Sequence, residues 1–372
     1  MNTSVVQAPS TTDELAVALA GTTGPVRVRG GGTKLGWAAN RAQPEIELST
    51  SGLDRILEHN EGDLTAVLEA GVPLATAQAR FAEAGQMLSL DPPDDGATIG
   101  GVVASGDSGP LRSRYGGVRD LVVGIKVALS DGTIAKAGGK VIKNVAGYDL
   151  AKLFTGSFGT LGAILEVTVR LHPLPPATAT TAGGSRDPER VARAASQLAH
   201  APLEQLALDV RWGGGDGAVL SRFGGARARE QAEAAARVLA NAGVEAQVVD
   251  DDDAIWRVQR EGQRSPEWAV VRVSATQTDL PALFAATDRL GARLVGRAAL
   301  GLCWVRLEDR GAEEADAAIE ELRHDYAATV LDAPPGLQAD HWGPLDPVAR
   351  ELMRRVRERF DPAGVCNPGA AP

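Results

Sequence analysis

The sequence predicts an α+β protein in two successive parts, and three observations carry that expectation. Residues 25–29 alternate as Pro-Val-Arg-Val-Arg, and further short strand patterns at 46–48 and 64–69 lead into a helical stretch at 73–84. Asp131-Gly132 separates two β-rich runs within 121–135, a strong hairpin signal, so the first part contains antiparallel pairing. From 177 to 335 amphipathic helices alternate with short strands, the pattern of an antiparallel sheet with helices on one face. The 372 residues suit two domains at roughly 150 residues each.

Element by element, Thr11 and Glu14 have capping-box spacing ahead of Leu15-Ala16-Val17-Ala18-Leu19, so a helix starts there. Pro73 stands near the first turn of the 73–84 helix and Gly85 ends it. In 163–171, Ile164, Glu166, Thr168 and Arg170 interleave with Leu165, Val167, Val169 and Leu171, a strand. Pro173, Pro175 and Pro176 then close the lobe. The expected division is 1–172, with subdomains of about 1–75 and 76–172, then a smaller domain at 173–335 and a tail at 336–372. Within the smaller domain, helices are predicted over 188–198, 227–242, 280–290 and 313–327, and strands over 206–210, 218–222, 269–273 and 302–307. The acidic run Asp250-Asp251-Asp252-Asp253 reads as a solvated loop. The stretch 359–369 reads as a helix end followed by turn residues.

Composition excludes several classes. With 38 Lys and Arg against 48 Asp and Glu, the net charge is −10, unsuited to non-specific nucleic-acid binding. Cys303 and Cys366 are the two cysteines, and no Cys-x-x-Cys occurs, which argues against a disulfide framework, a zinc finger or an iron–sulfur site. No apolar run approaches the ~20 residues of a membrane span. Residues 1–10 lack the basic start and apolar core of a secretory signal. The five histidines, His59, His172, His200, His324 and His341, are not paired at metal-ligand spacing, so no metal is expected. A cytoplasmic chain follows, with any membrane association left to partners.

Glycine clusters in the first part. Gly30-Gly31-Gly32-Thr33-Lys34 follows a strand, yet it fits neither the P-loop nor the dinucleotide fingerprint. Asp91-Pro92-Pro93 leads to Thr98-Ile99-Gly100-Gly101, where Thr98 can cap a short helix whose free N–H groups would face a phosphate. Each cluster alone reads more readily as a tight turn. Two in one lobe point to a pyrophosphate held by loops.

These clusters occur in a fixed order with Arg114-Tyr115-Gly116, with Gly156-Ser157-Phe158-Gly159-Thr160-Leu161-Gly162-Ala163-Ile164 and with Asp361-Pro362-Ala363-Gly364-Val365-Cys366-Asn367-Pro368-Gly369. The order resembles the FAD-binding family of vanillyl-alcohol oxidase and p-cresol methylhydroxylase (PCMH) type, over about 10–172 and the tail. Gly85-Gln86-Met87-Leu88, Asp91-Pro92-Pro93 and Lys143-Asn144-Val145-Ala146-Gly147-Tyr148-Asp149-Leu150 resemble more closely the FAD-binding E-type subunits of bacterial glycolate oxidases. The resemblance implies a two-part PCMH-type FAD-binding domain, a cap domain and a tail returning to the FAD domain. It implies oxidation of glycolate to glyoxylate beside two partners, a larger D-type flavin subunit and an F-type iron–sulfur subunit. A free-standing FAD oxidoreductase of another 2-hydroxy acid or sugar acid, and a non-catalytic assembly subunit, are the alternatives.

Carried onto this sequence, Gly30, Gly31, Gly32, Thr33 and Lys34 would wrap the FAD pyrophosphate. Pro92, Thr98, Gly100, Gly101 and Ser105 would lie along the diphosphate and ribityl region. Ser108 and Gly109 stand where the family has a Gly-Gly pair near the isoalloxazine, and Gly159, Gly162 and Ile164 would meet the adenine or isoalloxazine edge. The family's Asn-Ala-Gly-Gly is here Gly106-Asp107-Ser108-Gly109. Without His or Cys in these loops, the FAD is expected to be non-covalent. Oxidising a 2-hydroxy acid also needs a cation for the carboxylate and a base for the hydroxyl proton. His341, beside the returning tail, is the catalytic candidate. Arg112, Arg114 and Arg119 with Asp120 read as a carboxylate clamp or as plain surface ion pairs, and Lys143, Asn144, Tyr148 and Asp149 as a contact set or a helix cap.

Overall fold

A computed structural model describes residues 5–37, 44–93, 95–139 and 149–370. The chain forms two compact units. One comprises 1–108, 116–174 and 344–372, and the other 109–115 and 175–343. The sequence placed the return to the first unit at 336. It occurs at Pro344 because Leu337 still packs in the second unit's core and the His341 carbonyl accepts from Val330 N–H at 2.8 Å.

The first unit holds two principal sheets. Val5–Gln7, Ile46–Ser49 and Val26–Arg29 form a parallel sheet with Ile46–Ser49 in the centre. An antiparallel sheet runs Ile56–Asn60, Thr65–Glu69, Ala163–Arg170, Val122–Ala128, Ile134–Gly138. The hairpin predicted at Asp131-Gly132 joins its last two strands, which pair antiparallel. The expected subdomain division near 75 is not where the sheets divide. Thr65–Glu69 pairs with Ala163–Arg170, so both strands of 56–69 belong to the second sheet. Alternation explains that pairing: Leu165, Val167 and Val169 are all buried.

The first helix, Thr12–Ala20, is capped by Thr11, whose hydroxyl accepts from Glu14 N–H at 3.1 Å. The reciprocal bond of the expected box is displaced by one residue, since the Glu14 carboxylate reaches Ser10 N–H at 2.8 Å instead of the cap. Leu74–Ala82 buries Leu74, Ala77 and Phe81. Asp149 caps Leu150–Phe154, accepting from Lys152 N–H at 3.2 Å. Lys143, Asn144 and Tyr148 lie outside the described residues.

The second unit is an eight-stranded antiparallel sheet in the order Glu245–Val249, Thr178–Ser185, Asp216–Gly224, Gln205–Gly213, Arg293–Arg297, Leu302–Leu307, Ala269–Ser274, Ala327–Asp332. Helices Pro188–Ala199, Ala228–Asn241, Leu280–Arg289 and Ala312–Asp325 join Val210, Trp212, Phe223, Val271 and Val305 in one core. Helices on one face were expected. A further helix, Asp253–Glu261, instead lies on the opposite face, where Trp256 packs on Ala207 and Leu220. These two residues alternate with the core-facing Leu208 and Val219. The acidic run is correspondingly not all solvated. Asp252 is 2% exposed and accepts from Thr180 Oγ1 at 2.7 Å and from Arg222 Nη2 at 2.6 Å.

Two buried carboxylates brace the first unit. Glu47 accepts from Arg29 at 2.9 Å and Arg27 at 3.1 Å, tying the strand that enters the glycine loop to its neighbour. Glu69 accepts from Arg55 N–H at 2.9 Å and Nη2 at 2.8 Å. Burial pushes the Glu69 carboxyl up, but the Arg55 hydrogen bonds outweigh it and hold it below its ordinary 4.5. A carboxyl lowered on folding stabilises above its unfolded value and loses that contribution as pH falls through the folded one. Glu69→Gln should therefore cost about 1–3 kcal/mol at pH 7. In urea denaturation the gap from wild type should close as pH falls below 4.5.

Candidate functional site: an open cleft in the first unit

An open cleft lies within the first unit. The end of Val26–Arg29 and the loop after it contribute Val28, Gly30, Lys34, Leu35 and Trp37. The helix Ile99–Ser105 contributes Gly100, Gly101, Ala104 and Ser105. The turn ahead of Ala163–Arg170 contributes Phe158, Gly159 and Gly162, and the strand itself Ala163 and Ile164.

Backbone meets backbone here without side chains between. A Cβ on Gly31 would stand 1.8 Å from the Gly96 carbonyl oxygen, and one on Gly30 would stand 2.1 Å from Thr98 Oγ1. Only glycine lets the two clusters dock. Thr98 caps its helix as predicted, accepting from Gly101 N–H at 3.3 Å. The expected free N–H groups at that helix start are a correction. Ile99 N–H donates to the Val72 carbonyl at 2.9 Å and Gly100 N–H to the Ala70 carbonyl at 2.8 Å. The chain before the helix needs these donors, so none remains for a phosphate. Gly31 and Gly32 N–H, by contrast, make no hydrogen bond among the described residues.

Lys34 is the one charged side chain among the described residues lining the cleft. Its Nζ lies 3.2 Å from Asp107 Oδ2, 3.2 Å from Thr33 Oγ1 and 5.7 Å from the Trp37 ring centre. Both charged side chains are less than a tenth exposed. Asp107, the departure from the family pattern, is thus a counter-ion that holds Lys34, and its other oxygen accepts from Ser108 N–H at 2.9 Å.

Of the expected site residues, Gly30, Lys34, Gly100, Gly101, Ser105, Gly159, Gly162 and Ile164 line the cleft. Gly31, Gly32, Thr33 and Thr98 support its rim without lining it. Pro92 is buried elsewhere. Ser108 and Gly109 are buried at the point where the chain passes between units, and the Gly109 carbonyl accepts from Arg112 N–H at 3.3 Å. His341 is buried in the second unit and is not part of the cleft. Arg112 and Arg114 belong to the second unit and Arg119 to the first, while Asp120 accepts from Gly117 N–H at 2.8 Å, a local cap. His59 pairs with Gln86 Oε1 at 3.0 Å, and His172, its pKa lowered by burial and then by Arg170, pairs with Ser89 at 3.0 Å. Burial pushes the Cys303 thiol up to about 12 and raises that of Cys366 too.

Sequence reasoning missed the apolar lining, Val28, Leu35, Ala70 and Ala104, and two residues with left-handed backbone, Phe158 at φ 52° and Asn367 at φ 41°. Both stood inside motifs noted for their order, which was the available signal.

Residues 3–138 match the family described as FAD binding domain. That match takes in the glycine loop, Lys34 and Asp107. The chain is 38% identical over 172 residues to the glycolate oxidase subunit GlcE of Escherichia coli, covering 44% of this chain and 49% of that protein. It is 37% identical over 177 residues to the glycolate oxidase subunit GlcD of Bacillus subtilis, covering 46% and 37%. The aligned stretches thus span half or less of these relatives. A solved alkyldihydroxyacetonephosphate synthase superposes with a TM-score of 0.73 at 15% identity, over 98% of this chain and 75% of that one, a likeness of fold. Among the described residues no helix is long and apolar enough to cross a membrane.

The Lys34–Asp107 pair can be tested directly. Lys34→Met leaves a buried carboxylate without its lysine and should destabilise the protein by about 3 kcal/mol in urea denaturation. Adding Asp107→Asn should recover most of that loss.

Proposed function

We propose that this chain is the FAD-carrying subunit of a multi-subunit glycolate dehydrogenase. It would contribute to oxidising glycolate to glyoxylate beside a larger flavin-carrying partner and an iron–sulfur partner. The observation that carries the proposal is the cleft of the FAD-binding domain, mostly apolar with a single buried cation at its glycine rim. The likeness to GlcE supports the subunit role.

The residues fit a dinucleotide. Lys34 and the Gly31 and Gly32 N–H groups would hold the pyrophosphate, an anion that backbone nests and buried cations favour. Val28, Leu35, Ala70, Ala104 and Ile164 would offer apolar surface to the rings, with Gly159 and Gly162 permitting close approach. The lining contains neither His nor Cys among the described residues, so attachment through one of them is not proposed and the FAD is taken as non-covalent. Bound FAD supplies a two-electron acceptor.

The chain's own residues then bind, balance charge and exclude water. Asp107 fixes Lys34, so the cation is in place before the anion arrives. Removing the hydroxyl proton of a 2-hydroxy acid calls for a base. Lys34 is the one titratable group among the described lining residues, and it is held as an ion pair. This favours a division of labour in which the larger flavin partner oxidises the substrate and this chain relays electrons.

The visible spectrum of the purified chain, before and after acid precipitation, is the test. Flavin should appear in the acid supernatant. Flavin in the pellet would overturn the non-covalent reading, and its absence even after co-expression with both partners would overturn the cofactor reading. The isolated chain should reduce a dye with glycolate at least a hundredfold more slowly than the assembled complex. Rapid turnover by the single chain would sink the division of labour.

A further inference from the structure

The FAD-binding family match ends at residue 138, yet the cleft does not. Phe158, Gly159, Gly162, Ala163 and Ile164 of its lining lie beyond the match, and so does Asn367, from the segment after the helix Pro347–Phe360. Phe158 and Gly159 both have left-handed backbone, at φ 52° and 74°. For phenylalanine that conformation is costly and needs outside support. Its N–H donates to the Ala104 carbonyl at 2.8 Å. Its carbonyl accepts from Asn367 Nδ2 at 2.6 Å, across 209 residues of sequence. A carbonyl can only accept, so the amide nitrogen must face it.

Asn367 is itself held before any ligand arrives. Val26 N–H donates to the Val365 carbonyl at 2.8 Å, and Asn367 N–H donates to the Val26 carbonyl at 2.7 Å. The segment therefore lies parallel to Val26–Arg29, the strand that runs into the glycine loop. Asp361, 2% exposed, accepts from Cys366 N–H at 2.7 Å, and Val365 and Cys366 pack with Val26 and Leu48. Asn367 stands at φ 41°, a region asparagine tolerates better than most residues.

We infer that Asn367 is a positioning residue of the FAD cleft: its amide locks the Phe158–Gly159 turn and couples it to the strand carrying the glycine loop. This rests on the FAD reading above. Two sides of the cleft, far apart in sequence, are thereby joined through this side chain. A preorganised cleft binds more tightly because ordering is not charged to the ligand.

The test uses the full chain stripped of flavin and titrated with FAD, following flavin fluorescence, with thermal unfolding of the apoprotein alongside. Asn367→Gly keeps the backbone conformation and removes the amide. It should weaken FAD binding roughly tenfold, the loss of one partly buried hydrogen bond, with the apoprotein's melting temperature within a few degrees of wild type. Asn367→Asp, which presents acceptors to a carbonyl, should weaken it further. Phe158→Gly removes the need to hold a strained residue. In that background Asn367→Gly should cost less than half as much in log affinity, a coupling that a purely structural role for Asn367 would not produce. Wild-type affinity in both Asn367 variants, or additive losses in the double variant, would overturn the inference. If both Asn367 variants fail to fold, the residue is a folding determinant and the positioning role falls. A wild-type chain that takes up no FAD fails the cofactor reading itself, and is seen before any variant is compared.

Discussion

The cleft depends on how closely two stretches of backbone approach each other. Gly30 and Gly31 lie against Thr98 and the Gly96 carbonyl at distances that admit no Cβ. From this contact the rest follows. The strand Val26–Arg29 must end where the loop turns, and the Glu47 bridge to Arg27 and Arg29 fixes that end against Ile46–Ser49. Burial by itself would raise the Glu47 carboxyl, and the Arg29 and Arg27 bonds reverse the shift, so the brace stays ionised where it is needed. The donors of Ile99 and Gly100 are consumed in holding the second cluster in place. Among the described residues the backbone donors left unused lie instead at Gly31 and Gly32, in the loop that carries the buried Lys34.

That cation illustrates how charge enters an apolar site. A lone buried lysine would shed its proton or stay in water. Asp107 makes burial tolerable, and Thr33 and the Trp37 face complete the surroundings. Such a pair adds little to stability, but removing one partner is expensive, and it fixes where positive charge can be. The second unit uses the same device with other residues. Arg297 and Asp209 are wholly buried at 2.7 Å, with Arg297 also bonded to Gln263 and stacked 4.7 Å over Trp304. Burial there pushes Asp209 up to about 6 against the pull of Arg297.

The legible parts of the sequence were those where local pattern and tertiary environment agree. Ala163–Arg170 reads as a strand and pairs on both edges within one sheet, and Asp131-Gly132 turns because its flanking strands pair. Thr178–Ser185, Thr-Ala-Thr-Thr-Ala-Gly-Gly-Ser, gave no strand signal, because its small side chains suit an interior position between two strands and carry no hydrophobic period. Asp252 read as solvent-facing because charge runs usually are. Only the fold brings Thr180 and Arg222 to it. In the cleft the glycines were visible as anomalies of composition. The Lys34–Asp107 pair and the apolar lining were not, since each joins residues that only the folded chain makes neighbours.

The same non-locality explains how one cofactor domain can carry a large insertion. The chain leaves the first unit at Leu174 and re-enters at Pro344, and the bond from Asn367 to Phe158 closes a loop of 209 residues. Closure entropy grows only logarithmically, about 0.6 kcal/mol for each doubling of loop length. An insertion with its own core, as 175–343 has, adds less still, because its ends are fixed by its own folding. The parallel docking of 365–367 on Val26 and the burial of Val365 and Cys366 are then enough to bring the returning segment home. A cofactor domain closed in this way constrains only where the intervening chain starts and stops. Its sheet, charges and cavities are left free to differ.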